Sequence, residues 1–199
     1  MLRFLILLFG LVIGLNAFSQ QSDTLNYVII VKKDTIGKLT AIKKTFADSS
    51  INYDVISRAK YQFLFSFKIS FDYFTRFGSD GYVSQTDFVY KFNGKVKEEN
   101  KSERNNSGYD IYMEGKYIKT VQGLYPQSAL SMYFQEPDIT KPILSERFLE
   151  PIKIEPVNEH EYKVEFPTDD VNYYHYKNGV CVKILIDLTV TDMEIRLMD

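Results

Sequence analysis

The sequence predicts an all-β protein, built as one large curled antiparallel sheet of meander topology. That sheet is an open or closed barrel, with one short helix near residues 126–134. Three observations predict it. Ile51, Tyr53, Val55, Tyr61, Phe63, Phe65, Phe67, Ile69, Phe71 and Tyr73 all fall on odd positions, while Asn52, Asp54, Arg58, Lys60, Gln62, Ser66, Lys68, Ser70 and Asp72 fall on even ones. A strand with that period of two turns one aromatic face inward and one polar face outward. Asp80-Gly81, Asn93-Gly94 and Asn178-Gly179 are favoured hairpin turns, and tight turns make antiparallel neighbours. Finally, apolar residues make up 45% of the 199, with 15 Tyr and 15 Phe, which excludes a disordered chain.

Residues 1–19, MLRFLILLFGLVIGLNAFS, read as an address. Arg3 precedes an apolar run from Phe4 to Leu15, Asn16 ends the run, and Ala17-Phe18-Ser19 sets small residues before a cut at Gln20. This is the layout of a secretory signal peptide, and the run is short of the roughly 20 residues a membrane span needs. Residues 20–199 are therefore expected as a single antiparallel β domain that is exported to the periplasm or outside the cell. It should span no membrane after cleavage. About 180 residues suffice to bury roughly 70% of the unfolded surface in one core. Without Arg3 the charges are 23 cations against 26 anions, net −3, which offers no basic face for nucleic acid. The single Cys181 excludes a disulfide scaffold and a Cys-rich zinc site.

Along the chain, Lys33-Asp34 separates a strand at Leu25–Lys32 from one at Thr35–Phe46. The aromatic run from 50 to 77 would be roughly 90 Å long if straight, so it must bend or break. Ser57-Arg58-Ala59-Lys60 is the expected place, because the inward face is weakest there. Tyr82–Phe92 follows, and the polar stretch Lys95–Arg104 suits an edge or exposed strand. Tyr109–Met113 and Lys116–Val121 answer each other around Glu114-Gly115. Near the end, Tyr162, Val164 and Phe166 alternate, Tyr173–Lys177 turns at Asn178-Gly179, and Val180, Val182, Ile184, Ile186 and Leu188 are assigned one face. Thr191, Met193, Ile195 and Leu197 close the pattern, for about ten strands in all. All six prolines lie between Pro126 and Pro167. Pro126 suits a first helical residue, with Ala129, Leu130, Met132, Tyr133 and Phe134 behind it. A long irregular excursion follows, and a helix plugging or lidding one mouth of the sheet is its natural place.

Little in the chain carries recognisable chemistry. Cys181 reads as a small buried hydrophobe, and neither His160 nor His175 has zinc-ligand spacing, so no metal and no cofactor is expected. Glu136, Asp138, Glu146, Glu150 and Glu155 crowd the excursion, where two carboxyls could in principle flank a glycosidic bond. A structural pair of Glu146 with Lys141 or Arg147 is the plainer expectation. The feature that stands out is the aromatic face. Tyr61, Phe63, Phe65, Phe67, Phe71 and Tyr73, with Tyr133 and Phe134 from the excursion, are the candidate ligand-binding residues. A curled sheet fills its interior with such rings or leaves a ligand cavity between them.

The hairpin Val31-Lys32-Lys33-Asp34-Thr35-Ile36-Gly37-Lys38-Leu39, the run Phe63-Leu64-Phe65-Ser66-Phe67-Lys68-Ile69-Ser70, Met132-Tyr133-Phe134-Gln135-Glu136-Pro137, Ser145-Glu146-Arg147, and Asn172-Tyr173-Tyr174 with Asn178-Gly179 come in a telling order. Together they resemble an uncharacterised family of exported bacterial β-rich proteins carrying a domain of unknown function. At fold level that family is similar to periplasmic lipoprotein-carrier-like half-barrels that cradle acyl chains. The resemblance brings no catalytic residue. The expected function is a non-enzymatic binder of an apolar small molecule such as a lipid or acyl chain. The alternatives are an envelope interaction module with a filled core and an envelope protein as partner, and a carboxylate-dependent hydrolase.

Overall fold

The computed structural model describes residues 20–62, 66–168, 170–187 and 192–198. The segment 1–19 and Phe63, Phe65, Leu188 and Thr191 therefore lie outside the described residues. Eight strands form an unbroken meander: β1 (Gln21–Val31), β2 (Asp34–Thr45), β3 (Ile51–Gln62), β4 (Ser66–Phe77), β5 (Val83–Phe92), β6 (Lys95–Arg104), β7 (Gly108–Met113) and β8 (Lys116–Gln122). Two short strands, β9 (Gln127–Ser128) and β10 (Ile143–Leu144), flank a single 3-10 turn at Ser131–Tyr133. A second meander closes the chain: β11 (Pro151–Asn158), β12 (Glu161–Glu165), β13 (Val171–Lys177), β14 (Val180–Asp187) and β15 (Met193–Leu197).

All fifteen belong to one sheet, ordered β8-β7-β6-β5-β4-β3-β2-β1-β15-β14-β13-β12-β11-β10-β9. Neighbours are antiparallel except β9 and β10. The first and last strands pair in the middle, Tyr27 opposite Leu197 and Ile29 opposite Ile195. The outer strands β8 and β9 do not pair, so the barrel is open. Only five residue steps separate Gln122 from Gln127, however, and these reach at most about 18 Å. The two edges are thus held close, and the sheet must curl almost fully round.

The long aromatic run resolves into β3 and β4, paired as a hairpin with Tyr61 opposite Phe67, Ser57 opposite Phe71 and Tyr53 opposite Thr75. The reversal falls between Gln62 and Ser66, not at Ser57–Lys60. Every odd residue faces another odd residue in this register, which is why the alternation survives the reversal. Ser57 and Ala59 are small for a different reason, taken up below.

Three further expectations are corrected. No helix spans 126–134. The apolar residues Leu130, Met132 and Tyr133 are buried all round because the segment is enclosed by the sheet, so their mixed spacing reports enclosure and not a helical face. The Ser131 hydroxyl donates to the Ser128 carbonyl at 2.7 Å, a local bond that competes with helix. Lys95–Arg104 is exposed but is no edge: β6 lies between β5 and β7, and its inward face is polar, with Ser102 bonded to Thr86 at 2.7 Å. Last, Val180 and Val182 do not share a face with Ile184. A bulge opposite His175/Tyr176 pairs Tyr176 with Cys181 and His175 with Lys183, so Cys181 and Ile184 both turn inward and are buried.

Part of the excursion is strand as well. β11 carries Pro151 and Pro156, and Pro156 sits where the strand has β12 on one side only, with a register shift beside it. A residue without an N–H is tolerated there. The Lys33-Asp34 turn shifts by one residue, to Lys32-Lys33, with Val31 opposite Asp34.

Candidate functional site

The curled sheet is packed solid at one end and hollow at the other. At the packed end Tyr53 meets Phe77 edge-on with ring centroids 5.6 Å apart, and Phe134 lies 5.6 Å from Tyr53. Tyr109 and Tyr125 meet at a tilt with ring centroids 5.5 Å apart, and the Tyr109 hydroxyl donates to the Val83 carbonyl at 2.8 Å. The enclosed segment 127–149 reaches across the interior as a floor. Tyr133 presents its ring to Tyr27 at 5.5 Å, and Tyr27 in turn donates to the Cys181 carbonyl at 2.8 Å.

Beyond this floor lies a cavity of about 570 Å³. One wall comes from β1–β4, with Tyr61, Phe67, Phe71 and Tyr73. The facing wall comes from β13–β15, with Tyr174, Ile184, Ile186, Met193 and Ile195. The floor is Ala129, Leu130, Tyr133 and Ser145 to Phe148. At the rim stand Lys32 on the β1–β2 turn and Asp170 ahead of β13. Ser57 and Ala59 also line the wall, so the small residues at the middle of β3 are what leave the space open. The aromatic wall is continued sideways by β5 on the same face: Phe71 stacks on Tyr90 at 4.9 Å and Phe67 on Phe92 at 5.8 Å, and Tyr73 meets Phe88 at a tilt at 4.8 Å.

Of the candidate ligand-binding residues, Tyr61, Phe67, Phe71, Tyr73 and Tyr133 are brought together around this cavity. Phe134 is not, because it packs at the filled end against Tyr53. Phe63 and Phe65 lie outside the described residues. The sequence pattern put Ile184 with Ile186 and Met193 with Ile195 on shared faces but not among the ligand-binding residues, it misplaced Val180 and Val182 because of the bulge, and it did not foresee the polar groups of the floor.

Glu146 is that floor's central group. It is 1% exposed, its Oε1 accepts from the Thr75 hydroxyl at 2.6 Å and from the Leu130 N–H at 3.4 Å, and burial holds its pKa above the usual carboxylate value. The expected pairing with Lys141 or Arg147 does not form. Lys141 pairs with Asp138 at 2.9 Å. Arg147 grips Glu98 through two nitrogens at 3.1 and 3.0 Å and lies over the Phe148 and Phe88 rings. Of the five carboxylates of the excursion only Glu146 lines the cavity. Glu136 is bound by His160 at 2.8 Å and Tyr162 at 3.0 Å, and Glu150 and Glu155 pair with Lys119 and Lys153. The excursion's carboxylates are therefore not gathered around the cavity; among the described residues, the other carboxylate that lines it is Asp170 at the rim.

Cys181 is buried, and desolvation pushes its thiol up to about 12, far from a thiolate nucleophile. His175 takes the other face of β13 from Tyr174 and Tyr176, beside Lys183 and Glu161. Burial lowers its pKa. Among the described residues, no helix is long and apolar enough to cross a membrane.

Comparison with known proteins agrees with the fold. No curated protein matches the chain. Among solved structures, the crystal structure of a β-barrel-like protein of domain of unknown function DUF1849 from Brucella abortus is similar. Its TM-score is 0.56 at 11% identity, over 92% of this chain and 98% of that one. At that identity the likeness is one of fold alone. The family model described as Domain of unknown function (DUF6134) matches residues 27–198, and the chain belongs to that family.

Proposed function

We propose that the protein is an exported, non-enzymatic binder of an apolar molecule, a lipid or acyl chain held inside the curled sheet. The observation that carries this reading is the open-ended cavity of about 570 Å³, within the range of small-molecule sites, between two walls of aromatic and aliphatic side chains. A hollow end supports a binder over a module with a filled core. The leader-like sequence of residues 1–19 supports export to an envelope compartment, where lipids are the abundant apolar solutes. Native mass spectrometry of protein purified from its own envelope tests the reading. A bound apolar mass that is lost or reduced in a Ser57→Trp variant, whose indole intrudes into the cavity from β3, is the expected result. Protein that carries no lipid and excludes a neutral apolar dye would overturn it.

A second reading, an envelope interaction module, has one observation in its favour. Leu124, Ile139 and Val157 are large apolar side chains exposed on or beside the excursion, and the edge strand β8 exposes Tyr117 and Ile118. Alanine substitution of the first three should then release an envelope partner in a crosslinking pull-down. An unchanged set of crosslinks removes this reading.

A further inference from the structure

The floor of the cavity is more polar than its walls, and its polar groups are not all in use. Tyr73 comes from β4 and Tyr133 from the enclosed 3-10 turn, and both line the cavity near the floor. Neither hydroxyl makes a hydrogen bond to a described residue, whereas the hydroxyls of Tyr27, Tyr109 and Tyr162 each reach an acceptor. Among the described residues, the phenol oxygen buried without a partner is that of Tyr176, which does not line the cavity; those of Tyr73 and Tyr133, which do line it, are not sealed off and are free to bond an occupant. Two unspent donors at the bottom of an apolar cup mark where a ligand's acceptor would sit.

The charges around them decide what kind of acceptor it is. Glu146 shares the floor, is fully enclosed, and has no cation paired with it among the described residues. Arg147, the cation nearest this floor, already has its charge matched by Glu98. A ligand carboxylate or phosphate seated there would meet a buried acid and no free counter-charge. A neutral carbonyl or hydroxyl would meet two donors. Towards the mouth, Phe67, Ile36, Ile186 and Met193 offer only hydrocarbon, and the rim carries one charge of each sign, Lys32 and Asp170.

We propose that the cavity selects a neutral amphiphile and takes it polar end first, its ketone, ester or alcohol oxygen on the hydroxyls of Tyr73 and Tyr133 and its hydrocarbon tail towards the rim. This rests on the reading of the cavity as an apolar-ligand site and adds the ligand's class and orientation. The test is competition against a neutral apolar dye, N-phenyl-1-naphthylamine, by decane, 2-decanone, 1-decanol and decanoate at pH 8. The ketone and alcohol should displace the dye at roughly tenfold lower concentration than decane, the effect of one net hydrogen bond. Decanoate should do no better than decane. The double variant Tyr73→Phe, Tyr133→Phe should lose the preference for ketone and alcohol over decane, judged within that variant from its own dye affinity. Equal displacement by decane, ketone and alcohol, or strongest displacement by decanoate, overturns the proposal while the apolar site stands. Failure of the wild-type protein to bind the dye at all brings down both.

Discussion

Replacing Tyr27 by Phe removes one oxygen from the point where three parts of the molecule meet. Tyr27 is fully buried on β1, its hydroxyl donates to the carbonyl of Cys181 at the β14 bulge at 2.8 Å, and its ring meets the edge of Tyr133 on the floor. Phe keeps the ring contact and the packing. What it loses is the donor, and the Cys181 carbonyl, whose strand is displaced by the bulge, is left in an apolar interior. A buried acceptor stripped of its partner costs about 1–3 kcal/mol. For a domain of this size, one kcal/mol moves Tm by about 2–4 °C. Tyr27→Phe should therefore lower the midpoint of urea unfolding with an unchanged m-value, and lower Tm by about 2–12 °C. Tyr27→Ala, which also opens a hole beneath Tyr133, should cost about 3–5 kcal/mol. If the Phe variant unfolds within about 0.3 kcal/mol of the wild type, the carbonyl has another partner and the bulge is not pinned by Tyr27.

Two further outcomes follow from buried charge and backbone geometry. The pKa of Glu146 is raised by burial, so the folded protein holds that proton more tightly than the unfolded chain. Stability therefore drains as pH rises from the ordinary carboxyl value of about 4.3 through the raised one. Glu146→Gln, which keeps an acceptor for Thr75, should melt close to wild type at pH 4 and above it at pH 8. A variant that melts below wild type at pH 8 would show the carboxylate to be stabilised by a cation. On the β1–β2 turn, Lys32 and Lys33 adopt φ of 49° and 74°, a two-residue turn that favours Asn-Gly. Lys33→Gly should therefore raise stability by about 1 kcal/mol, read as a higher Tm, and an unchanged or lower Tm refutes the strain.

The sequence made the aromatic wall legible because the hairpin sets Gln62 opposite Ser66, so that odd residues face odd residues and the alternation keeps its parity through the reversal. The turns at Asn93-Gly94 and Asn178-Gly179 were equally plain, since left-handed φ at both positions has few sequence solutions. In the facing wall Ile184 and Ile186 kept the parity their sequence shows, but Val182 is the extra residue of a bulge, and that single insertion turns Cys181 inward and Val180 away from the face of Ile184. The floor was legible only as a plug at one mouth and as the ring of Tyr133, not as the set of polar contacts that orders it. Its order comes from contacts between distant parts of the chain, such as Thr75 with Glu146 and Asn100 with the Arg147 carbonyl, and no local pattern encodes them.

Those same contacts explain how an irregular segment can occupy the inside of a barrel. Loops normally stay outside because their backbone polar groups need partners. Here side chains supply them. Gln127 gives its amide N–H to the Asp138 carbonyl at 2.9 Å and takes the Asp138 N–H at 2.8 Å, in effect a two-bond strut across the segment. Ser128 and Ser131 exchange bonds with one another's backbone, the Ser145 hydroxyl accepts from the Phe148 N–H, and Asn100 reaches in from β6 to hold the Arg147 carbonyl at 2.6 Å. The floor is thus anchored to the segment itself, to β4 and to β6, while the sheet edges beside it are unpaired. A segment so tied is a fixed base and not a lid. The depth of the cavity is then set by the side chains at Ala129 and Leu130, across from the rim where the turns carry Lys32 and Asp170.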